Sequence, residues 1–136
     1  MVYNYFCNQQ SWRALIGIVD GVLTAYDSQF YQLLGSIAEQ KGCHCFSVYE
    51  PGRALVLGIK KKLFHYSWQG AGFAPLREFI LSDVPKGLLC VRNCVVVAYR
   101  KHYECLDLLS GAAARILDVE REHKMVMTEV RMTLMI

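Results

Sequence analysis

The chain has 136 residues, of which 54% are hydrophobic and 20% charged; this is the size and composition of one packed domain and excludes a disordered protein. The 15 basic and 12 acidic residues give a formal net charge of +3, which is too small to predict nucleic acid as the partner. No apolar run approaches the roughly 20 residues of a membrane-spanning helix.

The cysteines and the N-terminal sequence predict the redox compartment. The start MVYNYFCNQQSW contains no basic segment followed by an apolar one, as a secretory signal would. We therefore expect a reducing, cytoplasmic location, with free thiols packed as small hydrophobes inside apolar strands. The six cysteines are Cys7, Cys43, Cys45, Cys90, Cys94 and Cys105.

The first part of the chain predicts a β-hairpin. Residues 1–13 lack periodicity and are interpreted as a strand whose partners are missing or as a disordered segment. Ala14 to Val19 and Val22 to Asp27 are apolar, β-rich runs joined by Asp20-Gly21, a hairpin turn in which Gly accepts positive φ.

The segment after this hairpin is ambiguous. Phe30 to Ile37 fits a third strand or a short helix, and the interior Gly35 disfavours the helix. A loop is predicted from Glu39 to Gly42.

The rest of the chain reads as further strands separated by short turns, with Pro75 fitting only near a strand end or at a sheet edge. The predicted strands are Cys43 to Tyr49, Ala54 to Ile59, Leu63 to Trp68, Phe73 to Leu81, Gly87 to Val91, Cys94 to Tyr99 and Tyr103 to Leu108.

A repeat organises these elements. Comparable apolar runs begin at Leu15, Leu55 and Val95, a spacing of about 40 residues, which is typical of a propeller blade with four short strands. Each run is followed by a polar turn and an aromatic-containing run. The sequence therefore predicts an all-β fold of antiparallel, propeller-like blades, about three in number, which is fewer than the roughly four to eight that close a propeller. Gly17, Gly58 and Ala98 recur near the end of each apolar strand, where neighbouring blades are expected to crowd.

Chemical motifs are weaker. Cys43-His44-Cys45 offers zinc-type ligands, but adjacent residues of a strand point to opposite faces, so core cysteines are favoured over a metal site. Cys105 with His102, or Cys45 with His44, would have to act as a nucleophile and base without a supporting signature. His65 is interpreted as a half-buried sheet histidine. We predict no catalytic residue, cofactor or metal.

Two basic turns are the candidate partner-binding residues. They occupy the same position in successive repeats and should lie on one rim of the assembly. Solvated hairpin turns are the simpler interpretation, and a basic rim that binds an acidic protein surface or anionic lipid is the functional one. The residues are Lys60, Lys61 and Lys62 in the first turn, and Arg100 and Lys101, followed by His102, in the second.

The run Leu55 to Trp68 with its KKKL turn, the Asp83-Val84-Pro85-Lys86 connection and the basic hairpin after it resemble the citron homology (CNH) domain. The version resembled is the N-terminal domain of Vam6-type vacuolar sorting proteins and of TGF-β receptor-associated protein. The resemblance runs from about Ala14 to Ile116. It divides the chain into residues 1–13, a partial CNH propeller at 14–117, and a charged tail at 118–136 in which Met125 to Ile136 suggests an extra strand.

The resemblance implies a non-enzymatic interaction module of a HOPS- or CORVET-type tethering subunit in transport from endosome to vacuole or lysosome. The implied partners are other tethering subunits and a Rab-type small GTPase. The implied location is cytoplasmic, at the surface of the late endosome or vacuole. One alternative is the CNH domain of a Rho-pathway signalling protein that binds small GTPases; another is a thiol- or metal-dependent enzyme.

Overall fold

The computed structural model describes residues 5–9 and 12–118, and this part of the chain contains twelve β-strands and no α-helix. A 3-10 turn at Glu50–Gly52 joins β5 to β6. The predicted strand at Met125 to Ile136 lies outside the described residues. The strands are β1 (Tyr5–Gln9), β2 (Ala14–Val19), β3 (Val22–Asp27), β4 (Leu33–Lys41), β5 (Cys45–Tyr49), β6 (Ala54–Ile59), β7 (Lys62–Trp68), β8 (Phe73–Ile80), β9 (Gly87–Val91), β10 (Cys94–Ala98), β11 (His102–Asp107) and β12 (Ala113–Asp118).

Consecutive strands form three antiparallel, four-stranded sheets. Strands β1 to β4 form blade 1, β5 to β8 form blade 2, and β9 to β12 form blade 3. The first strands β5 and β9 contact each other, and the last strands β4 and β8 also meet, so the sheets stack with equivalent strands side by side. The prediction of an all-β fold made of antiparallel blades is confirmed.

The sequence repeat holds at the level of strand register. Leu15 pairs with Tyr26 in blade 1 and Leu55 with Tyr66 in blade 2. Val95 pairs with Leu106 in blade 3, so both members of each pair advance by one repeat from blade to blade. The central hairpins are therefore structurally equivalent in all three blades.

Three expectations need correction at the outer and first strands. Glu39 to Gly42 was predicted as a loop, but β4 extends to Lys41, since an outer strand keeps its ladder without an apolar pattern. The strand at Tyr5–Gln9 has a partner, because it pairs along its length with β2. The outer strand Ala113–Asp118 was not predicted, and all six of its residues are exposed.

Alternation along β6 places its side chains in two different hydrophobic clusters. Leu55 and Leu57 pack toward blade 1, and Val56 between them packs toward blade 3. All three are fully buried. The middle sheet thus has a core on each face, and burial of this apolar surface is the main force that joins the blades.

Close contacts also join blades 2 and 3 near their first strands. A Cβ added at Gly58 would lie 2.8 Å from Cys45 Sγ and 3.1 Å from Pro85 Cγ, so the crowding predicted at this small residue is confirmed. The buried Ser47 hydroxyl accepts a hydrogen bond of 2.8 Å from the backbone N–H of Cys90. This bond satisfies a polar group that would otherwise be costly to bury.

An arginine joins the same two blades at their outer side. Arg77 in β8 donates a 2.9 Å hydrogen bond to the carbonyl of Leu109, in the loop between β11 and β12. Its guanidinium also lies 4.7 Å from the centre of the Phe79 ring. Gly111 in that loop has a φ of 82°, a conformation that glycine adopts without strain, and a Cβ added there would lie 2.9 Å from Arg77 Nη2, which would have to shift.

The cysteines divide into two chemical groups. Cys94 and Cys105 form a disulfide across β10 and β11, so the prediction that they are free thiols is wrong. Cys43, Cys45 and Cys90 are free. Burial raises the pKa of Cys43 and of Cys45 to about 12, and that of Cys90 to about 11. Thiolate is therefore scarce at these three positions near neutral pH.

We expect Leu57→Asp to abolish cooperative unfolding, because an unpaired charge in the cluster between blades 1 and 2 costs several kcal/mol. Thermal unfolding followed by circular dichroism measures this. The control is Leu76→Asp in β8, where the side chain is 57% exposed. A transition at the same temperature for both variants would contradict the two-sided core.

The free cysteines should resist alkylation until the chain unfolds. In a Cys7→Ser background at pH 8, iodoacetamide should leave Cys43, Cys45 and Cys90 unmodified in the folded chain and modify them in guanidinium chloride, as read by mass spectrometry. The disulfide-bonded pair should react only after reduction. In the matched variant Cys94→Ser, the half-buried Cys105 should react in the folded chain; rapid labelling of Cys43 there would refute the buried-thiol assignment.

Candidate functional site

The predicted basic turns lie on the same rim of the blades. Lys60-Lys61 joins β6 to β7 and Arg100-Lys101 joins β10 to β11, so each turn links the second and third strands of its blade. Because the strands of each sheet are antiparallel and the blades stack in the same order, these turns emerge at equivalent ends. We call this surface the basic rim. Its members are Lys41, Lys60, Lys61, Lys62, Lys86, Arg100 and Lys101.

The first turn is a tight connection held by its backbone. Lys60 has a φ of 53°, as a two-residue hairpin turn requires. The carbonyl of Lys61 accepts a 2.8 Å hydrogen bond from the N–H of Leu81, which ties the turn to the end of blade 2. All three lysine side chains are exposed. The backbone therefore fixes where the charges emerge and leaves the ammonium groups in solvent.

Lys62 belongs to β7 rather than to the turn. Its ammonium lies 3.0 Å from the carboxylate of Glu78, and the two side chains are 52% and 48% exposed. Exposed ion pairs of this kind contribute only about 0 to 1 kcal/mol. A partner carboxylate can therefore compete with Glu78 at little cost.

The second turn is shorter than predicted. The N–H of Tyr99 donates to the carbonyl of His102 over 2.8 Å and closes the turn around Arg100 and Lys101, both exposed. His102 is the first residue of β11, and its Nε2 lies 2.7 Å from Glu104 Oε2. Its ring therefore pairs with Glu104 and is not part of the basic turn.

Two further lysines lie on the basic rim and were not predicted. Lys41 at the end of β4 pairs with Val22, next to the first hairpin turn. Lys86 donates its backbone N–H to the carbonyl of Ala98 over 2.6 Å, beside the second basic turn. Both side chains are exposed. Because each blade has four antiparallel strands, the connections between blades lie on the same rim as the turns between second and third strands. The predicted topology could therefore have identified Lys41 and Lys86 as members of this rim.

The opposite rim carries arginines at equivalent turns. Arg13, Arg53 and Arg92 each precede the second strand of a blade, have φ values of 55°, 49° and 56°, and are exposed. Asp27 and Asp107 occupy the same repeat position in blades 1 and 3 on this rim, and each accepts backbone N–H groups of its own loop. The two rims thus differ in charge, and the arginine turns give a matched comparison for the lysine turns.

The structure does not assemble the nucleophile and metal sites that the cysteines suggested. Cys105 is in the disulfide, while His102 is on the other face of β11 and pairs with Glu104. His44 bonds through Nε2 to the carbonyl of Pro85 at 3.1 Å. His65 is half-buried in β7, and this burial lowers its pKa. Within residues 5–9 and 12–118, no three His, Cys, Asp or Glu side chains are placed to hold a metal ion.

The structure also contains a cleft between blades 2 and 3 that was not predicted from the sequence. It has a volume of about 380 Å³ and combines apolar walls with the side chains of Ser82, Tyr99 and Glu104.

No helix in the described part of the chain is long and apolar enough to cross a membrane.

Comparison with solved structures shows the fold. Similar structures include the Kuenenia stuttgartiensis hydrazine synthase, at 15% identity and a TM-score of 0.64, covering 79% of this chain and 34% of that one. The β-propeller domain of Myceliophteria thermophila Cps50 (Swd1) matches at 14% identity and a TM-score of 0.67, covering 85% of this chain and 38% of that one. Saccharomyces cerevisiae Sqt1 matches at 11% identity and a TM-score of 0.66, covering 92% of this chain and 39% of that one. The chain thus spans little more than a third of each of these structures.

Sequence comparison gives the family. No curated protein sequence matches the chain as a relative. The CNH domain profile matches residues 19–134, which passes the point near Ile116 where the resemblance was expected to end. The match covers most of the chain, and the described residues form three blades of a β-propeller fold; the chain therefore belongs to the CNH domain family.

Proposed function

We propose that this chain is part of the interaction propeller of a vesicle-tethering subunit of the HOPS or CORVET type, acting in transport from endosome to vacuole or lysosome. CNH domains are typically β-propellers that bind other proteins, and the family match covers residues 19–134. The KKKL turn and the Asp83-Val84-Pro85-Lys86 connection support the vacuolar sorting branch of the family.

The observation that carries the proposal is the basic rim itself. Two exposed basic turns, one repeat apart in sequence, emerge from structurally equivalent hairpins of neighbouring blades. Clustered lysines on a rigid sheet edge raise the association rate with an acidic partner surface and help to set its orientation. The partner surface we assign to this rim is acidic and belongs to a tethering subunit or a Rab-type GTPase.

The proposed location is the cytoplasmic surface of the late endosome or vacuole. Anionic lipid headgroups there would add to the attraction of the basic rim, at roughly 1 kcal/mol per lysine or arginine close to the membrane. Disulfides are rare in the cytosol, where glutathione favours the dithiol. Reduction of the Cys94–Cys105 disulfide in that compartment would leave the β10–β11 hydrogen bonds to hold the hairpin.

Reversal of the first turn tests this function. The variant Lys60→Glu, Lys61→Glu, Lys62→Glu should remain folded, because all three side chains are exposed. We expect at least a several-fold loss of the tethering subunits and of the late-endosomal Rab GTPase that co-precipitate with the tagged chain, measured by quantitative mass spectrometry. The physical reason is repulsion between the new carboxylates and an acidic partner.

The matched control reverses the same number of charges on the opposite rim, as Arg13→Glu, Arg53→Glu, Arg92→Glu. Retained association in this control, with loss in the lysine variant, locates the contact on the basic rim. Equal recovery of these partners with the wild-type chain and with the lysine variant would show that the lysines are only solvated turn residues. Recovery of neither class of partner with the wild-type chain would refute the tethering assignment.

A further inference from the structure

The cleft between blades 2 and 3 exists because the repeat changes its side chains there. In blade 2, the third strand packs Phe64, Tyr66 and Trp68 against blade 1. Trp68 stacks on Trp12 with ring centres 5.3 Å apart and contacts Phe73 at 5.0 Å, so large rings fill this junction.

Blade 3 has smaller or polar side chains at the same repeat positions. One repeat further along the chain, the three aromatic residues of blade 2 correspond to Glu104, Leu106 and Leu108. Leu106 and Leu108 pack toward blade 2, and Glu104 is on the same face. The aromatic volume lost at this junction accounts for an open cleft of about 380 Å³, which lies within the size range of small-ligand sites.

The cleft has an apolar interior and a more exposed mouth. Leu81, Val97 and Leu106 form buried walls, while Ile80 and Ser82 are exposed at the opening. An apolar ligand segment between these walls would lose part of its contact with water, and full burial is favourable by about 0.8 kcal/mol per CH₂ group.

Glu104 is the fixed polar group of the cleft. Its Oε2 lies 2.7 Å from His102 Nε2 and 3.5 Å from the Ser82 hydroxyl, and its side chain is 17% exposed. Because a carboxylate only accepts hydrogen bonds, Nε2 of His102 is the donor in this pair. The His102 ring is in turn stacked on Tyr99, with centres 4.8 Å apart. Among the described residues, the hydrogen bonds and the ion pair of this carboxylate all go to Oε2 rather than to Oε1.

The side chains of Glu104 and Asp83 place negative charge near Tyr99 in the cleft. Burial raises the pKa of Tyr99 and the charges of Glu104 and Asp83 add to this, against hydrogen bonds to Ser82 that lower it. Arg100 and Lys101 are exposed in the neighbouring turn, where water and salt screen them more than the partly buried Glu104.

We propose that this cleft binds an alkylammonium group, such as the side chain of a lysine or a small aliphatic amine. The alkyl chain lies between Leu81, Val97 and Leu106, and the ammonium donates to Glu104 Oε1 and to the hydroxyl of Ser82. This cleft lies next to the second basic turn, and its ligand chemistry does not depend on the tethering function.

Titration of the isotope-labelled chain with n-butylammonium, followed by methyl NMR, tests the proposal. The methyl signals of Val97 and Leu106 should shift. Those of Leu55, in the hydrophobic cluster between blades 1 and 2, should not. n-Butanol, the neutral isostere, should bind about tenfold more weakly or worse, because it lacks the charge-assisted hydrogen bond. Equal binding of the two compounds, or no shift with either, would overturn the proposal.

Variants of Glu104 locate the cation. Glu104→Gln keeps an acceptor for His102 and Ser82 but removes the charge, and it should weaken butylammonium binding by about tenfold. Glu104→Phe restores the aromatic residue of blade 2 and should close the cleft. The control is Glu78→Gln, the same substitution outside the cleft, which should bind as the wild type does. Wild-type affinity in a folded Glu104→Gln variant would refute the role of the carboxylate.

A second ligand distinguishes the two sources of the amine. Nα-acetyl-lysine N-methylamide carries the same ammonium on a peptide backbone. Binding at least as tight as that of butylammonium, with the same shifts, identifies a lysine of a polypeptide partner as the occupant. Binding of butylammonium alone, with the lysine derivative excluded, identifies a small aliphatic amine.

Discussion

The structure depends on the burial of both faces of the middle sheet. Successive residues of β6 point in opposite directions, so Leu55 and Leu57 enter the core shared with blade 1, and Val56 enters the core shared with blade 3. A single four-stranded sheet would expose both of these faces to water. Stacking the sheets removes both from solvent and fixes the orientation of every hairpin relative to its neighbours.

This packing also determines what the surfaces can do. Because the hairpins are stacked in the same orientation, the turns between second and third strands emerge on one rim, and this brings Lys60, Lys61, Arg100 and Lys101 to equivalent positions. Where the packing follows the aromatic pattern, as at Trp68, the junction is filled. Where Glu104 replaces an aromatic residue, the junction opens into a cleft.

The sequence was most informative where burial was greatest. The strands Ala14–Val19, Ala54–Ile59 and Gly87–Val91 were predicted with the bounds that the structure gives, because apolar runs between strong turns have few other solutions. The outer strands were harder. Glu39–Lys41 continues β4 without an apolar pattern, and Ala113–Asp118 is exposed throughout, so backbone pairing alone defines these segments.

Contacts between strands and between blades could not be predicted from the local pattern of apolar and polar residues. The partner of β1, the disulfide between Cys94 and Cys105 and the Arg77 contact all require knowledge of register or stacking. Glu104 was visible in principle, since aligning the third strands of blades 2 and 3 by the repeat places it at the position of Phe64. Its significance depends on the loss of volume at the junction, which only the packed structure shows.

Native-state hydrogen exchange tests the central claim, that the two-sided packing of blade 2 makes the three blades one cooperative unit. Amides in β2, β6 and β10 should exchange with the same, highest protection free energy, equal to that of global unfolding, while those in β12 should exchange through local opening. Three distinct protection free energies, one for each sheet, would mean that the blades open independently, and would contradict this account.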